Sequence, residues 1–268
     1  MREREIVDGL WERLAPLIPA RSRRFRYPGR LARDDRAALA GILFVLRTGI
    51  PWQQLPTSAF GVSGSTCWRR LARWQEQGVW QRLHEVLLAE LRAAEALDLA
   101  YAVVDASHVR ALKRGDLVGP SPVDRGRPGS KHHLITDTDG TPLAVTLTGG
   151  NRNDVTQLIP LIDAIPPIRG RRGRPPRRPH KIYADRGYDH DKYRRLVRAR
   201  GITPVIARRG TGHGSGLGQR RWVVERSFAW LHAFKRLRTR YERRADIHQA
   251  LLSLACAAIC LRRLHKSN

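Results

Sequence analysis

Cysteine is scarce in this chain. The 268 residues include only Cys67, Cys256 and Cys260. An odd number of cysteines without the paired spacing of zinc ligands indicates neither a disulfide framework nor a structural metal site. Cys256 and Cys260 lie four residues apart in a predicted helix, and we interpret both as core residues. The fold is therefore expected to depend on core packing rather than on cross-links.

Long apolar runs are also missing. The longest, Ala250 to Leu261, is interrupted by Ser253 and is shorter than the roughly 20 residues that cross a bilayer. The first residues, Met1-Arg-Glu-Arg-Glu5, do not begin an apolar stretch of the kind that forms a secretory signal. We therefore expect no transmembrane segment and a cytoplasmic protein.

Acidic residues are few relative to basic ones. The chain has 24 aspartates and glutamates against 50 lysines and arginines, a formal net charge of +26. A membrane anchor confines its charge to one amphipathic segment, whereas arginines here occur along the whole chain. Nucleic acid is the partner that this charge predicts, and its binding should weaken as the salt concentration rises.

Residues 1–95 have the pattern of a helical domain. Caps at Asp34-Asp35 and Ser65-Thr66 predict one helix over residues 36–48 and another over residues 67–77. Two helices with a short irregular joint are typical of a helix-turn-helix-like DNA-binding domain. The second helix carries three arginines, Arg69, Arg70 and Arg73. The alternative is a helical bundle in which these arginines form a solvated face. Four tryptophans are predicted to be core residues: Trp52, Trp68, Trp74 and Trp80.

Residues 96–268 have a pattern of strands and helices. Within it, the Asp139-Gly140 pair predicts a hairpin. The predicted order is a strand at 99–105, hairpin strands at 131–137 and 142–147, a helix at 154–165, a strand at 181–184, a helix at 189–200, a strand at 202–207 and a helix at 219–235. This order is typical of a ribonuclease-H-like α/β domain, in which helices flank a mixed sheet.

Glu225 lies in the last of these helices, which is crowded with arginines. At about 100° per residue, one side of that helix is apolar. The apolar side carries Val223, Trp230, Phe234, Leu237 and Tyr241. The opposite side carries Arg221, Glu225, His232 and Arg236. Glu225 is therefore expected to point away from the core contact of its own helix.

Two aspartates follow predicted strands. Asp105 comes after Tyr101–Val104, and Asp185 comes after Lys181–Ala184. Hard divalent ions prefer carboxylate oxygens, and a pair of them roughly 3.5 to 4 Å apart can activate a nucleophile and stabilise a leaving oxygen in phosphodiester chemistry. We therefore predict that Asp105, Asp185 and Glu225 converge on one metal site.

Each of these acids also has a local alternative, a helix cap or an ion pair with a nearby arginine. Three other acids could take their place: Asp137, Asp154 and Asp189. Local structure explains those three, because they lie beside a hairpin turn, at the start of a helix and at an N-cap position.

Three segments carry a family resemblance. They are Val104-Asp105-Ala-Ser107, Tyr183-Ala-Asp185-Arg-Gly-Tyr188 and Arg221-Trp-Val-Val-Glu225-Arg-Ser-Phe228. They resemble the DDE transposases of bacterial insertion sequences, especially the insertion-sequence-five group. Two N-terminal segments, Trp11–Pro19 and Gly49–Pro56, look like the helical DNA-binding region of that group. The resemblance thus covers nearly the whole chain.

The resemblance implies a reaction and its cofactors. Asp105, Asp185 and Glu225 would hold two Mg²⁺, for which Mn²⁺ may substitute. The enzyme would bind the terminal inverted repeats of its element, hydrolyse the DNA there, and join the freed 3′-hydroxyl to target DNA. Two ends must be held together, which implies a homodimer on double-stranded DNA associated with the bacterial nucleoid.

The helix signature of the family is only partly present. An arginine is expected four residues before the glutamate, and Arg221 occupies that position. A tyrosine seven residues before and a lysine seven residues after are replaced by Gly218 and His232. Lys235 or Arg236 could supply the missing cation.

Other segments are expected to contact DNA. The Pro- and Arg-rich stretch from Arg169 to Lys181 cannot form a core, and we interpret its arginines as phosphate contacts rather than as part of a disordered connection. They include Arg171, Arg172 and Arg174. The stretch Gly210–Gly218 lacks a phosphate-loop ending and is interpreted as a loop that orders on DNA. His132 and His133 could touch DNA, but we interpret them as strand surface.

Two other functions fit the same sequence. One is a DNA-binding protein or repressor, derived from a transposase, that has lost catalysis. The other is a ribonuclease-H-like nuclease that cuts DNA without joining it. Strand transfer to a second DNA distinguishes a transposase from both.

Overall fold

The computed structural model describes residues 3–20, 26, 31–210 and 218–267, which form a helical N-terminal region followed by a mixed α/β region. The helices are α1 (Glu3–Leu14), α2 (Asp35–Thr48), α3 (Thr57–Phe60), α4 (Gly64–Glu76), α5 (Val79–Ala93), α6 (Leu158–Asp163), α7 (Asp191–Arg198), α8 (Gly218–His232) and α9 (Ala245–Ser267). The strands are β1 (Tyr101–Ala111), β2 (Gly119–Pro120), β3 (Pro128–Thr136), β4 (Pro142–Gly149), β5 (Lys181–Ala184), β6 (Thr203–Ile206) and β7 (Thr239–Arg240).

The sheet is mixed. Its main strands lie in the order β4, β3, β1, β5, β6. Strands β4, β3 and β1 are antiparallel neighbours, whereas β5 and β6 run parallel to β1. Short strands β2 and β7 pair with β3 and with the end of β1. An antiparallel meander extended by parallel strands is the ribonuclease-H-like arrangement, and the predicted fold class is confirmed.

Strand β1 is longer than the sequence indicates. Its apolar half, Ala102–Val104, is fully buried, as expected for a central strand. The strand continues past Asp105 to Ala111, because β3 pairs with it from Val103 to Arg110. Asp105 therefore lies in the middle of β1, whereas the sequence predicts it at the end of the strand.

The predicted hairpin joins β3 and β4. Asp137 fixes its turn, since Asp137 Oδ1 accepts hydrogen bonds from the backbone N–H groups of Asp139 (3.0 Å) and Thr141 (2.6 Å). Gly140 has φ of 84°, a left-handed conformation that favours glycine. The turn role predicted for Asp137 is thereby confirmed.

The N-terminal helices follow their caps. Asp34 accepts hydrogen bonds at the start of α2, as predicted. Helix α4 begins earlier than expected, because Ser63 is its cap in place of Ser65 and Thr66. Trp74 and Trp80 are buried and meet edge to face, with ring centroids 5.4 Å apart. Trp52 and Trp68 are half-buried against the same core.

Helix α8 ends sooner than the sequence predicts. It stops at His232, and Phe234 begins a short 3₁₀ turn over Lys235–Leu237. Phe234 and Leu237 are buried, but they lie outside α8. The predicted single apolar stripe is therefore wrong, since its last three members belong to the chain that follows the helix.

Helix α9 is the centre of the core. It packs on α1, α4 and α5 of the N-terminal region and on β4 of the sheet. Cys256 and Cys260 are fully buried in it, as predicted. Its length and apolar composition would suffice to cross a membrane, but most of its apolar window is buried within the protein. One continuous core therefore includes both regions, and a domain boundary after residue 95 stays a prediction.

Candidate active site

Asp105 and Asp185 occupy equivalent positions on adjacent strands. Parallel strands β1 and β5 pair Val103 with Tyr183, and each aspartate lies two residues further along its own chain. Side chains two residues apart share a face of a sheet, and neighbouring strands are about 4.8 Å apart. The register thus brings the two carboxylates together at the edge where β5 ends.

The environment of this pair disfavours negative charge. Burial, together with the nearby carboxylates of Asp185 and Asp154, raises the pKa of Asp105 to about 6, against the opposing effects of a hydrogen bond from Ala106 N–H (2.8 Å) and of Arg221. Asp185 Oδ1 is buried and has no hydrogen-bond partner among the described residues. The two aspartates therefore form a site that a cation would stabilise.

The turn after β5 adds a phenol to this site. Asp185 O accepts a hydrogen bond from Tyr188 N–H (3.1 Å), which brings Tyr188 back beneath the aspartates. Tyr188 is buried, and its hydroxyl has no partner among the described residues. Burial, then the charges of Asp105, Asp154 and Asp185, raise the pKa of Tyr188. Its hydroxyl is therefore neutral and faces three carboxylates.

Helix α8 lies over the same face of the sheet. The Arg220 guanidinium stacks on Tyr101 and Tyr183, 5.2 and 5.6 Å from their ring centroids. One residue on, Arg221 Nη2 is 3.8 Å from Asp105 Oδ2. The first turns of α8 thereby place a cation beside the aspartate pair.

Glu225 is one turn beyond Arg221 on α8. Residues four apart share a helix face, so Glu225 is on the side of α8 that carries Arg221. Glu225 is exposed, and among the described residues no three acidic, histidine or cysteine side chains form a complete metal cluster. The structure brings Asp105 and Asp185 together, and Glu225 lies one helical turn from Arg221, which is beside Asp105.

Asp154, which the sequence predicts as a residue at the start of a helix, lies close enough to Asp105 to affect its pKa. It accepts a hydrogen bond from Lys131 Nζ (2.8 Å) and lies 3.9 Å from His133 Nδ1. Lys131 is itself buried and also donates to Arg152 O. The signal that could have found this group is the two-residue spacing of Lys131 and His133, which places both on one face of β3.

The two adjacent histidines of β3 are core residues. His132 Nε2 is 2.9 Å from His248 Nε2, and His133 Nε2 is 2.8 Å from Thr148 Oγ1. Burial lowers the pKa of His133 to about 4 and lowers the pKa of His132 well below its ordinary value. The interpretation of this pair as strand surface is wrong, and neither side chain reaches solvent.

The arginines of α4 differ in their surroundings. Arg69 and Arg73 are exposed, one turn apart. Arg70 is mostly buried and donates from Nε to Asp35 Oδ1 (2.7 Å), which ties α4 to the start of α2. Only Arg69 and Arg73 of the three therefore offer guanidinium groups to a ligand without breaking a contact.

The Arg- and Pro-rich segment is also mixed. Arg171 forms an ion pair with Glu95 and donates to Arg92 O, so it holds the segment against the end of α5. Arg172 and Arg174 are exposed. The glycine-rich stretch predicted to order on DNA falls largely in residues 211–217, outside the described part of the chain.

Lys235 and Arg236, the two candidates for the missing cation, face opposite environments. Lys235 is exposed. Arg236 is buried, with Nε 2.9 Å from Glu242 Oε1 and Nη1 donating to the backbone oxygens of Gly49 and Ile50. Contact between Arg236 and DNA would leave the buried Glu242 without its ion pair, so Lys235 is the better candidate.

The donor set at the aspartate pair fits a hard divalent cation. All of its ligating atoms are carboxylate oxygens, one of them buried without a hydrogen-bond partner. Carboxylate oxygens suit hard divalent ions, whereas zinc favours sulfur and imidazole ligands. Asp105 and Asp185 are therefore suited to hold Mg²⁺ or Mn²⁺.

A ribonuclease-H-like sheet with two aspartates on adjacent strands, covered by a helix that carries arginine and glutamate, defines a nucleic-acid-processing enzyme of the DDE class. The chain belongs to the family described as "Transposase DDE domain", whose model matches residues 100–260. A second model, "Putative transposase of IS4/5 family (DUF4096)", matches residues 6–84 in the helical region.

Two proteins of Burkholderia cepacia are similar in sequence. "Putative transposase for insertion sequence element IS402" is 66% identical over 150 residues, which cover 56% of this chain and 71% of that protein. "Insertion element IS402 uncharacterized 16.2 kDa protein" is 52% identical over 118 residues, 44% of this chain and 80% of that protein. The predicted family is confirmed. Membership implies action on DNA and dependence on divalent metal ions.

Proposed function

We propose that the chain is a transposase that cuts DNA at the ends of an insertion element and joins the resulting 3′-hydroxyl to target DNA. The observation that carries this proposal is the register of β1 and β5, in which Asp105 and Asp185 each follow the paired residues Val103 and Tyr183 by two positions, with Arg221 of α8 beside Asp105. Glu225, on the same helix face as Arg221, would complete a site for two divalent ions.

The proposed chemistry has two phosphoryl-transfer steps. In the first, water attacks a phosphorus at the element's end, and the bond to the 3′-oxygen breaks to leave a 3′-hydroxyl. In the second, that hydroxyl attacks a phosphorus of target DNA and displaces its 3′-oxygen. Bound Mg²⁺ or Mn²⁺ would supply an activated nucleophile and a counter-charge for the leaving oxygen.

The protein's own residues would bind the metal ions and orient the DNA. Asp105, Asp185 and Glu225 would hold the cations, and Arg221, beside Asp105, would offer a guanidinium to the scissile phosphate. Burial of Tyr188 closes the floor of the site to water. Exposed cations on other elements would contact the flanking DNA: Arg69, Arg73, Arg172, Arg174 and Lys235. A homodimer would hold two ends at once.

The test is cleavage and strand transfer on duplex DNA that carries the sequences flanking the encoding gene. Wild type should cut and join in Mg²⁺ or Mn²⁺ and not in EDTA. Glu225→Gln should bind the same DNA with unchanged affinity and lose both reactions by at least a hundredfold, on the order expected when a metal ligand is removed.

Glu12→Gln is the matched control. Glu12 is 74% exposed on α1, and its replacement makes the same chemical change without touching the site. It should retain wild-type rates. Cutting without joining would favour a nuclease, whereas binding without chemistry by wild type in either metal would favour a repressor.

A further inference from the structure

A second cluster of cations lies between α8 and α9, apart from the aspartate pair. It lines a cavity of about 350 Å³. Helix α8 contributes Arg226 and Trp230. Helix α9 contributes Ile259, Arg262, Arg263 and Lys266. Four of the six lining residues are positively charged at neutral pH, which is the chemistry of an anion site.

Arg226 is held rigidly in this cluster. Its guanidinium lies 4.5 Å from the ring centroid of Trp222 and 4.9 Å from that of Trp230. Nη2 donates to Asp139 O (2.6 Å), whereas Nε is buried without a partner among the described residues. The stacking fixes the plane of a guanidinium that retains unused hydrogen-bonding capacity.

Arg263 also has an unused donor. It donates from Nη1 to Asp139 O (3.1 Å) and from Nη2 to Asp139 Oδ2 (3.1 Å), and its Nε is buried without a partner among the described residues. Arg263 and Asp139 thus form an ion pair, and the Asp139 side chain is 61% exposed. The described lining of the cavity is therefore strongly positive, because four of its six residues are cations.

Arg262, another cation of the cavity, lies near the positive charge of Arg47. It lies 5.5 Å from the ring centroid of Phe234. Burial, followed by repulsion from Arg47, lowers the pKa of Arg262. A bound anion in the cavity would offset that repulsion, because a nearby negative charge favours the charged form of an arginine.

We propose that the α8–α9 cavity binds a backbone phosphate of the DNA on which the enzyme acts, at a position that flanks the cut. This inference rests on the proposed function. Arg226 is five residues beyond Arg221, which corresponds to about 140° around α8 and about 7.5 Å along it. Helix α8 thus faces the scissile phosphate with one side and a flanking phosphate with another.

The experiment measures affinity for the duplex defined above as a function of salt concentration. Arg262→Gln/Lys266→Gln should weaken binding on the order of tenfold and lower the slope of log K against log salt by about one, the contribution of one lost phosphate contact. Lys192→Gln/Arg195→Gln is the control, with the same charge change on α7, which packs on β6 at the opposite edge of the sheet. It should retain the wild-type slope.

A second variant tests the same site in the opposite direction. Asp139→Asn keeps a residue suited to the hairpin turn and removes the carboxylate that competes for Arg263. It should tighten binding about threefold at low salt, an effect that misfolding cannot produce. If wild type binds and all these variants match it in affinity and slope, the phosphate site is wrong and the proposed function stands. If wild type does not bind the duplex, both fail.

Discussion

Asp185 carries a carboxylate oxygen that the fold leaves buried and without a hydrogen-bond partner among the described residues. Asp105 lies beside it on the next strand, and Tyr188 closes the site from below without donating to either. Such an arrangement is unfavourable for folding, because two like charges are held together in a poorly hydrated place. A cation bound by the two carboxylates would offset that destabilisation, as expected where function conflicts with stability.

This conflict predicts opposite effects of one substitution. Asp185→Asn should raise the stability of the protein in EDTA by about 1 kcal/mol, because an amide removes one charge and can donate to Asp105. The same variant should lose the rise in melting temperature that Mn²⁺ gives wild type. Thermal unfolding followed by circular dichroism, with and without Mn²⁺, measures both quantities.

Asp163→Asn provides the comparison for this variant. Asp163 is the last residue of α6, and its contact is a surface ion pair with Arg200. It should keep the Mn²⁺ response. A destabilised Asp185→Asn protein that still responds to Mn²⁺ would show that the aspartate pair is an ordinary structural feature.

At the scale of elements, the register of the sheet decides the site. The sequence could predict β5, the hairpin of β3 and β4 and the position of Asp185, because each follows from a local pattern of apolar residues and turn signals. It could not predict that β1 continues past Asp105, since that extension depends on pairing with β3, a partner distant in sequence. The sequence therefore indicated which carboxylates matter but misplaced Asp105 within its element.

Helix α8 illustrates a second limit. The sequence pattern predicts one apolar helix face that includes Phe234 and Leu237, because apolar residues recur there at helical spacing. In the fold these residues are buried in a 3₁₀ turn, and Arg236 between them pairs with Glu242 from the following segment. A charge on a predicted helix surface cannot be distinguished from a buried ion pair until its distant partner is known.

His84 connects α5 to β4, a contact that no local sequence pattern predicts. It lies on α5, is buried, and donates from Nε2 to Pro142 O at the start of β4 (2.8 Å). Burial lowers the pKa of His84 to about 4, opposed in part by this hydrogen bond. The folded protein therefore keeps this histidine neutral where the unfolded chain, with a pKa of about 6.5, takes up a proton.

The free energy of unfolding should therefore decrease at acid pH. As pH falls from about 6.5 to about 4, the unfolded state binds a proton that the folded state excludes, so His84 destabilises the fold by up to about 1.4 kcal/mol per pH unit. His84→Gln should flatten the dependence of unfolding free energy on pH by one proton in that window. Urea unfolding at a series of pH values measures it. His265→Gln, an exposed change near the end of α9, should leave the slope as in wild type.

At the scale of the whole molecule, the shared core predicts one cooperative unfolding transition. Five of the seven tryptophans lie within the first 80 residues, so fluorescence reports mainly on the helical region, whereas far-ultraviolet circular dichroism reports on the whole chain. Because α9 packs on both regions, the two signals should change at the same urea concentration.

A core substitution in α9 strengthens this test. Leu254→Ala removes a fully buried side chain and should lower the stability by about 2 to 5 kcal/mol. Both signals should shift together. A fluorescence transition that separates from the circular dichroism transition would establish two independently folding domains, as the division after residue 95 predicts.

The position of α9 has a consequence for the inheritance of the gene. Helices α1, α4 and α5 each pack against α9, Ala245–Ser267, which follows the strands of the sheet in the sequence. A premature stop codon anywhere before α9 would remove that support and with it the folded helical region. Truncated copies of the gene are therefore expected to leave no DNA-binding fragment to compete with an intact enzyme, whereas missense copies altered only at Asp105, Asp185 or Glu225 would produce a folded competitor.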